Sequence, residues 1–374
     1  MGTRGIPANY GGFETCVEEI APRLAALGHE VTVYCRTPQI TYQGDQYRGV
    51  RLVKLPTIRN KYLDTIVHTS LSAIHGLVRR YDVVLMFGVG NSPICALLRA
   101  GRLPVILNVD GLDWRRDKWP APAKALLRLA EKVATRVANR TITDSRYVQQ
   151  YYRKRFGVNL DYIPYGASPL PAELNGTLSW LGVEPEEYFL YVGRLEPENR
   201  VHDLVHASRA AEPRKQVIIV GDAPYSDDYK QALKSLAGDA ICFPGAIYGP
   251  GYWELNHHAY AYVFPVESSG THPALIEAMA SSNCVLVRDT PDNRAVGGET
   301  VRYFTSVDEL VQLMRWAETD PIEVRRLGRL AAARAGELYN WDRVTAEYLA
   351  LADAVVTGRR ARRRLPRVDR ATGD

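Results

Sequence analysis

Four short segments of the 374-residue chain carry residue types suited to an anionic, polar ligand. Gly11 and Gly12 open a stretch in which Phe13, Val17, Ile20, Leu24 and Leu27 fall on one face, so the spacing predicts a helix over Phe13–Leu27 with Gly28 as its C-cap. A glycine pair before a helix lets backbone N–H groups approach a phosphate; the plain alternative is a tight turn with no ligand. Gly193-Arg194-Leu195 follows an apolar run, and an arginine there can grip a diphosphate through two parallel hydrogen bonds, or simply lie on the surface. In Ser268–Ala280 a Gly270-Thr271 turn precedes a helix that Pro273 begins, a second anion-binding helix start. Glu277 sits about one turn into that helix among Ala, Leu, Ile and Met, where a carboxylate wants a partner such as a ribose hydroxyl. Asp110, in Asp110-Gly111-Leu112-Asp113, either hydrogen-bonds a polar substrate or makes a turn.

Other chemistries find less support. His257 and His258 are adjacent, so on a helix they point to different faces and make a poor metal pair. Asp227-Asp228 reads as a solvated helix start, and no D-x-D pair ends a strand, so a resident metal is not expected. Cys16, Cys35, Cys95, Cys242 and Cys284 are scattered and read as free thiols in a reducing cytosol.

These segments need strands to position them. Val31–Cys35, Val83–Phe87, Val105–Val109, Tyr188–Val192, Val217–Val220, Ala261–Phe264 and Val285–Val287 are apolar runs without strict alternation, the pattern of parallel strands buried on both faces. Helical periodicity lies between them, so the rhythm is doubly wound α/β, where ligands gather at the carboxyl ends of strands. Pro164, Gly166, Pro169, Pro171, Gly176 and Pro185 crowd a linker-like stretch, after which the rhythm restarts. The expected units are 1–168, 169–340, a helix over 341–357 that packs across both halves, and a disordered basic tail over 358–374.

Composition agrees with a globular protein: 46 % of residues are hydrophobic and 24 % charged. No apolar run approaches the roughly 20 residues of a membrane-spanning helix, and no signal peptide opens the chain. The net charge of +5 equals that of residues 358–374 alone, which hold seven Arg and two Asp. The remaining chain is neutral overall, which speaks against nucleic acid as a partner.

The four segments in this order resemble a family 4 glycosyltransferase of the GT-B fold, over about residues 1–357. Gly2–Thr15, Val109–Trp119, Gly193–Asn199 and Gly270–Glu277 resemble a rhamnosyltransferase-like branch of that family. The resemblance implies α/β architecture of the GT-B type, two Rossmann-like domains facing a cleft with a C-terminal crossover helix. It implies transfer of a sugar from a nucleotide diphosphate to an acceptor hydroxyl, with retention and with neither metal nor cofactor. Arg194 takes the position of the family's diphosphate-binding Arg and Glu277 that of its ribose-binding Glu. Gly11 and Gly12 match its glycine loop, and the backbone at Gly270 and Thr271, with His272 beside it, would cradle the outer phosphate. Asn199 stands where many relatives have Lys, with Arg200 next to it; Ser269 replaces the first Glu of the paired-Glu motif, with Glu267 two residues off register; and Asp110 replaces a His near the donor sugar.

The chemistry to be served is charge development on the departing diphosphate, which Arg194 and two helix N-termini would stabilise. No enzyme nucleophile stands out, and the resemblance suggests a front-face mechanism. Two rivals remain: a sugar-nucleotide epimerase, which would alter the donor with no acceptor present, and a non-catalytic binder, favoured by Ser269. The chain opens at Met1-Gly2, where a turn ought to follow a strand; the N-terminal sheet is thus expected to lack an inner strand, through a late start or truncation. An amphipathic pattern over Leu63–Arg80 flanked by Arg59, Lys61, Arg79 and Arg80, with the polybasic tail, suggests a cytoplasmic protein bound peripherally to the inner, anionic membrane face, reaching a glycan or lipid-linked acceptor; the bland readings are a core-packed helix and a solvated tail. Loss of both usual sugar contacts, at Ser269 and Asp110, suggests a sugar with a different hydroxyl pattern; a 6-deoxy sugar such as L-rhamnose fits, the resembling branch leans the same way, and dTDP-L-rhamnose is expected over UDP-glucose.

Overall fold

The computed structural model describes residues 1–8, 11–37, 39–58, 60, 63–109, 111–115, 119–167, 173–223, 226–238, 241–267 and 270–364, the side chains of 359–364 excepted. Asp110, Ser269 and the tail beyond Arg364 lie outside the described residues.

The N-terminal half holds two sheets. Strands β1 (Thr32–Arg36), β2 (Gln46–Tyr47) and β3 (Val50–Leu55) form one, in the order β1-β3-β2. Strands β4 (Val84–Phe87), β5 (Val105–Asn108), β6 (Arg140–Thr143) and β7 (Asp161–Tyr162) form a parallel second sheet in sequence order. Helices α1 (Gly12–Ala26), α2 (Asp64–Arg79), α3 (Ser92–Ala100), α4 (Ala121–Val137) and α5 (Arg146–Phe156) connect them. Among the described residues no strand lies between β1 and β4. Residues 1–5 pass through that gap: the Met1 ammonium donates to the Leu85 carbonyl (2.8 Å), Phe87 N–H to the Met1 carbonyl (3.0 Å) and Arg36 N–H to the Arg4 carbonyl (2.9 Å). The passage is tight, since a Cβ on Gly2 would come within 2.3 Å of the Phe87 carbonyl oxygen and Gly2 has φ +94°.

The C-terminal half is a six-stranded parallel sheet of β8 (Tyr188–Val192), β9 (Gln216–Val220), β10 (Ile241–Gly245), β11 (Ala261–Phe264), β12 (Cys284–Arg288) and β13 (Arg302–Phe304), ordered β10-β9-β8-β11-β12-β13. Helices α6 (Thr177–Leu181), α7 (Val201–Ala211), α8 (Asp227–Ala237), α9 (Pro250–His258), α10 (Pro273–Ala280), α11 (Pro291–Gly297), α12 (Val307–Thr319) and α13 (Pro321–Leu338) surround it. Tyr188, Phe189, Leu190 and Tyr191 of β8 are fully buried, as continuous apolar runs require of strands covered on both faces.

Strand order reverses between β8 and β11, which makes their carboxyl ends the switch point where an open α/β sheet presents a crevice. The two strands pair only at Ala261–Phe189 and Tyr262–Leu190. Beyond that the Tyr262 hydroxyl replaces the ladder, accepting from Val192 N–H (3.1 Å) and donating to the Val192 carbonyl (3.0 Å). The strands splay there, and the loops that follow them face α1.

Helix α14 (Trp341–Arg364) crosses back to the N-terminal half. Arg23 of α1 pairs with Asp342 (2.9 Å), and the Tyr348 hydroxyl accepts from Asn108 Nδ2 (3.3 Å) at the end of β5. Trp341 seats against Gly166, where a Cβ would approach the indole to 2.7 Å. The helix runs past Thr357 into the arginine run, because Arg and Ala are strong helix formers and Gly358 lowers but does not break that propensity.

The amphipathic segment folds as α2, but most of its large apolar side chains face outward. Leu63, Ile66, Ile74 and Val78 are 46, 44, 55 and 77 % exposed, while the buried face is His68, Thr69, Ser72, Ala73 and Gly76. Within that stripe Leu77 packs against the core and Val67 is half-buried, so the core-packed reading holds only in part. The small face inward lets the helix approach closely: a Cβ on Gly76 would meet the Met1 side chain at 2.7 Å.

Candidate active site

A cleft of about 1300 Å³ opens between the halves, lined from both. Two helix N-termini converge in it. The first turn of α1 begins at Gly12, and a Cβ there would stand 3.3 Å from Pro273, the first residue of α10. Gly11 is extended (φ −161°), so its conformation suits any residue; what the pair supplies is clearance. Two helix N-termini at one space favour an anion.

Arg194 enters the same cleft from the end of β8. Its carbonyl accepts from Asn199 Nδ2 (2.6 Å) and from the Tyr191 hydroxyl (3.2 Å), which fixes the turn, and its guanidinium stands 3.2 Å from Glu196. Asn199 is buried, and its amide holds the Arg194 backbone. The neighbouring Arg200 lines the cleft, held by Asp203 (2.7 Å) and Glu267 (3.3 Å). Asp203 is itself gripped by the buried Arg288 (2.7 Å).

Glu277 faces the cleft one turn into α10 and accepts from the Tyr252 hydroxyl of α9. Burial pushes its carboxyl up to about 7; the Tyr252 hydrogen bond pulls the other way, and the nearby Glu19 adds to the rise. His272 caps α10 with its ring 5.3 Å from Phe264. The N–H groups of Gly270 and Thr271 hold carboxylates, those of Asp292 (3.0 Å) and Asp144 (2.9 Å). On the N-terminal side Arg115, Trp119, Tyr147 and Tyr165 line the cleft, with the Arg115 guanidinium donating to the Tyr147 hydroxyl (2.7 Å). Among the described residues no group of three or more His, Cys, Asp or Glu could hold a metal.

Arg194, Gly11, Gly12, Asn199, Gly270, Thr271, His272 and Glu277 thus come together at one cleft. Sequence reasoning missed Tyr252, Asp144, Ser145 and Asp292. Pro291 after a strand end, with Thr290 as an N-cap, was a readable signal for Asp292; Tyr252 offered none beyond its type.

Residues 10–168 match the Glycosyltransferase Family 4 domain and residues 180–334 the Glycosyl transferases group 1 domain. The chain is a GT-B glycosyltransferase. It is 23 % identical to the glycogen synthase of Mycobacterium tuberculosis over 408 aligned positions, covering 98 % of this chain and 97 % of that one. Sucrose-phosphate synthase from Thermosynechococcus elongatus superposes with a TM-score of 0.80 at 19 % identity, over 94 % of this chain and 96 % of that one. HepE of Anabaena, solved with UDP-glucose, gives 0.73 at 17 % identity, over 91 % and 96 %. At these identities the two solved structures establish the fold of the glycosyltransferase.

The raised pKa of Glu277 makes a testable mark on the glycosyltransferase's stability. The folded carboxyl keeps its proton up to about pH 7, whereas the unfolded one releases it near the ordinary 4.5. The contribution is therefore full below about 4.5 and lost as pH rises through 7, on the order of 3 kcal/mol. Urea unfolding of wild type and Glu277→Gln from pH 4 to 8 should show the wild type losing stability relative to the variant across that window. Glu131, also pushed up to about 7 by burial, titrates in both proteins and cancels. A pH-independent difference would refute the shift.

Proposed function

We propose that this cleft binds a nucleotide-diphosphate sugar and transfers the sugar, with retention, to a hydroxyl of a glycan or lipid-linked acceptor in cell-surface polysaccharide synthesis, dTDP-L-rhamnose being the donor. The observation that carries the reading is the convergence of Arg194 and the N-termini of α1 and α10 on one space, with Glu277 a turn away. The diphosphate lies against Arg194 and the two helix starts. Glu277, oriented by Tyr252, takes the 3′-hydroxyl of the deoxyribose. As the glycosidic bond stretches toward an oxocarbenium-like state, charge accumulates on the leaving phosphate, where these groups stabilise it. The leaving phosphate accepts the acceptor's proton on the same face, so no side chain has to act as nucleophile. HepE binds UDP-glucose on the same fold, which makes that donor the sharpest competitor. Purified protein is offered dTDP-L-rhamnose, UDP-glucose and GDP-mannose with and without a lipid-linked glycan. Acceptor-dependent release of dTDP is expected; turnover of UDP-glucose or GDP-mannose alone refutes the donor, and donor conversion without acceptor refutes transfer.

We place the enzyme on the cytoplasmic face of the membrane, docked through the outer surface of α2 and its neighbours. No described helix is long and apolar enough to cross a membrane. Ile74 and Val78 project outward, Leu97 of α3 and Leu126 and Leu129 of α4 are also exposed, and α3 packs against both α2 and α4. Arg79, Arg99, Arg128, Lys132 and Arg136 are exposed on the same helices. Insertion of apolar side chains at about 1.5–3 kcal/mol each, with about 1 kcal/mol per basic residue, suits an anionic leaflet. Ile74→Glu with Val78→Glu should abolish most sedimentation with phosphatidylglycerol vesicles, and deletion of 359–374 should reduce it. Sedimentation equal to wild type would remove α2 from the docking surface.

A further inference from the structure

The amides of Gly270 and Thr271, at the mouth of α10, are already occupied. Thr271 N–H donates to Asp144 Oδ2 (2.9 Å), and the Thr271 hydroxyl donates to the Asp144 carbonyl. Gly270 N–H donates to Asp292 Oδ2 (3.0 Å), whose other oxygen accepts from the Ser145 hydroxyl (2.6 Å). Asp144 and Ser145 follow β6 in the N-terminal half; Asp292 and the loop before α10 belong to the C-terminal half. Three of the four bonds cross between the halves and clamp them together beside the cleft. The clamp is dry: Asp144 is 1 %, Ser145 0 % and Asp292 5 % exposed. Ser145 is fixed as the N-cap of α5, accepting from Val148 N–H (3.0 Å) while it donates to Asp292.

We propose, resting on the donor-site reading above, that Asp144 is a positioning residue which occupies the Thr271 amide in the free enzyme and yields it to the anionic part of the donor. An N–H has one proton, and a carboxylate at 2.9 Å uses it. A second anion brought to the same helix N-terminus must displace the first or be repelled by it. Donor affinity is then the difference between two anions' hold on one amide. Releasing Asp144 also undoes one arm of the clamp, so donor entry is coupled to the separation of the two halves. The Ser145–Asp292–Gly270 arm does not touch the Thr271 amide and ties the halves independently.

Full-length wild type, Asp144→Asn, Asp144→Ala and Ser145→Ala are titrated calorimetrically with dTDP, UDP and the corresponding nucleosides, and the free proteins are measured by small-angle scattering. Asp144→Ala should bind the diphosphate about tenfold more tightly, as expected for one charge-assisted hydrogen bond no longer displaced. Asp144→Asn, which keeps an acceptor without the charge, falls between. Nucleoside affinity stays put in all of them. Free Asp144→Ala has a larger radius of gyration than wild type. If Asp144→Ala does not fold, Asp144→Asn carries the comparison. Ser145→Ala should expand the free protein without tightening the diphosphate; if it tightens it as Asp144→Asn does, loosened domains rather than anion competition are at work and the proposal falls. Diphosphate affinity equal to or weaker than wild type in the Asp144 variants also overturns it. Failure of wild type to bind either diphosphate overturns the donor-site reading and this inference with it.

Discussion

Arg194→Ala is expected to lower kcat by about 10²–10³, the usual cost of removing one fixed donor from a developing charge. The side chain is placed for this by backbone rather than by its own flexibility. Its carbonyl is held by Asn199 and the Tyr191 hydroxyl, and it leaves the sheet at the end of a strand fully buried from Tyr188 to Tyr191. Its side chain is 31 % exposed in the cleft, so the truncation opens no core cavity and folding should survive, though it removes the cation beside the largely buried Glu196 carboxylate. The effect belongs in kcat rather than in donor KM, because the interaction strengthens as the leaving phosphate gains charge. Arg194→Lys should recover part of the loss, since an ammonium supplies charge without the planar fork. Glu277→Gln should cost less, because the nucleotide sugar hydroxyl proposed for it is remote from the breaking bond. Steady-state kinetics with the donor and a glycan acceptor checks this; a kcat within about threefold of wild type would take Arg194 out of the reaction.

The fold was legible where physics leaves one reading. β8, β11 and β12 are buried on both faces, so their apolar runs could be little else, and their ends located Arg194 and the α10 loop. β6 escaped because Arg-Thr-Ile-Thr is polar at three of its four positions, and with it went Asp144 and Ser145 at its end. In β3 Arg51 and Lys54 interrupt the apolar run, and β10 contains Pro244 and Gly245. Helix α2 shows the limit of periodicity. The pattern says which residues share a face, not what that face meets, and here the small polar side is the one that packs. At the site, residue types were legible but their partners were not. Asn199 was singled out by position, yet its amide is turned onto a carbonyl; Gly270 and Thr271 were singled out as anion-binding amides, and anions do hold them, though those anions are the protein's own. The Thr271–Asp144 pairing joins residues 127 positions apart, and nothing local in a sequence encodes it.

Gly221→Ala should damage stability and turnover together. Gly221 follows β9 with φ +153°, and a Cβ on it would stand 1.8 Å from the Gly193 carbonyl oxygen, backbone that cannot rotate away. Gly193 N–H donates to the Val220 carbonyl (3.1 Å) and Gly221 N–H to the Gly245 carbonyl (2.9 Å), so the ends of β8, β9 and β10 are locked together where the overlap falls. Relief requires the Gly193-Arg194 turn to move outward. The strained φ costs on the order of 1–3 kcal/mol, overpacking adds a similar amount, and a displacement of about 1 Å at a reacting group costs about 10² in rate. Gly157→Ala is the control: its φ is +67° but nothing lies within 4 Å of the added Cβ, so it carries conformational strain without the collision. Chemical unfolding should show Gly221→Ala losing more stability than Gly157→Ala, and kinetics at a temperature where both are folded should show lost turnover in Gly221→Ala alone. Wild-type kcat in folded Gly221→Ala would mean that the turn carrying Arg194 can shift without consequence, and would count against the placement of that arginine at the reacting phosphate.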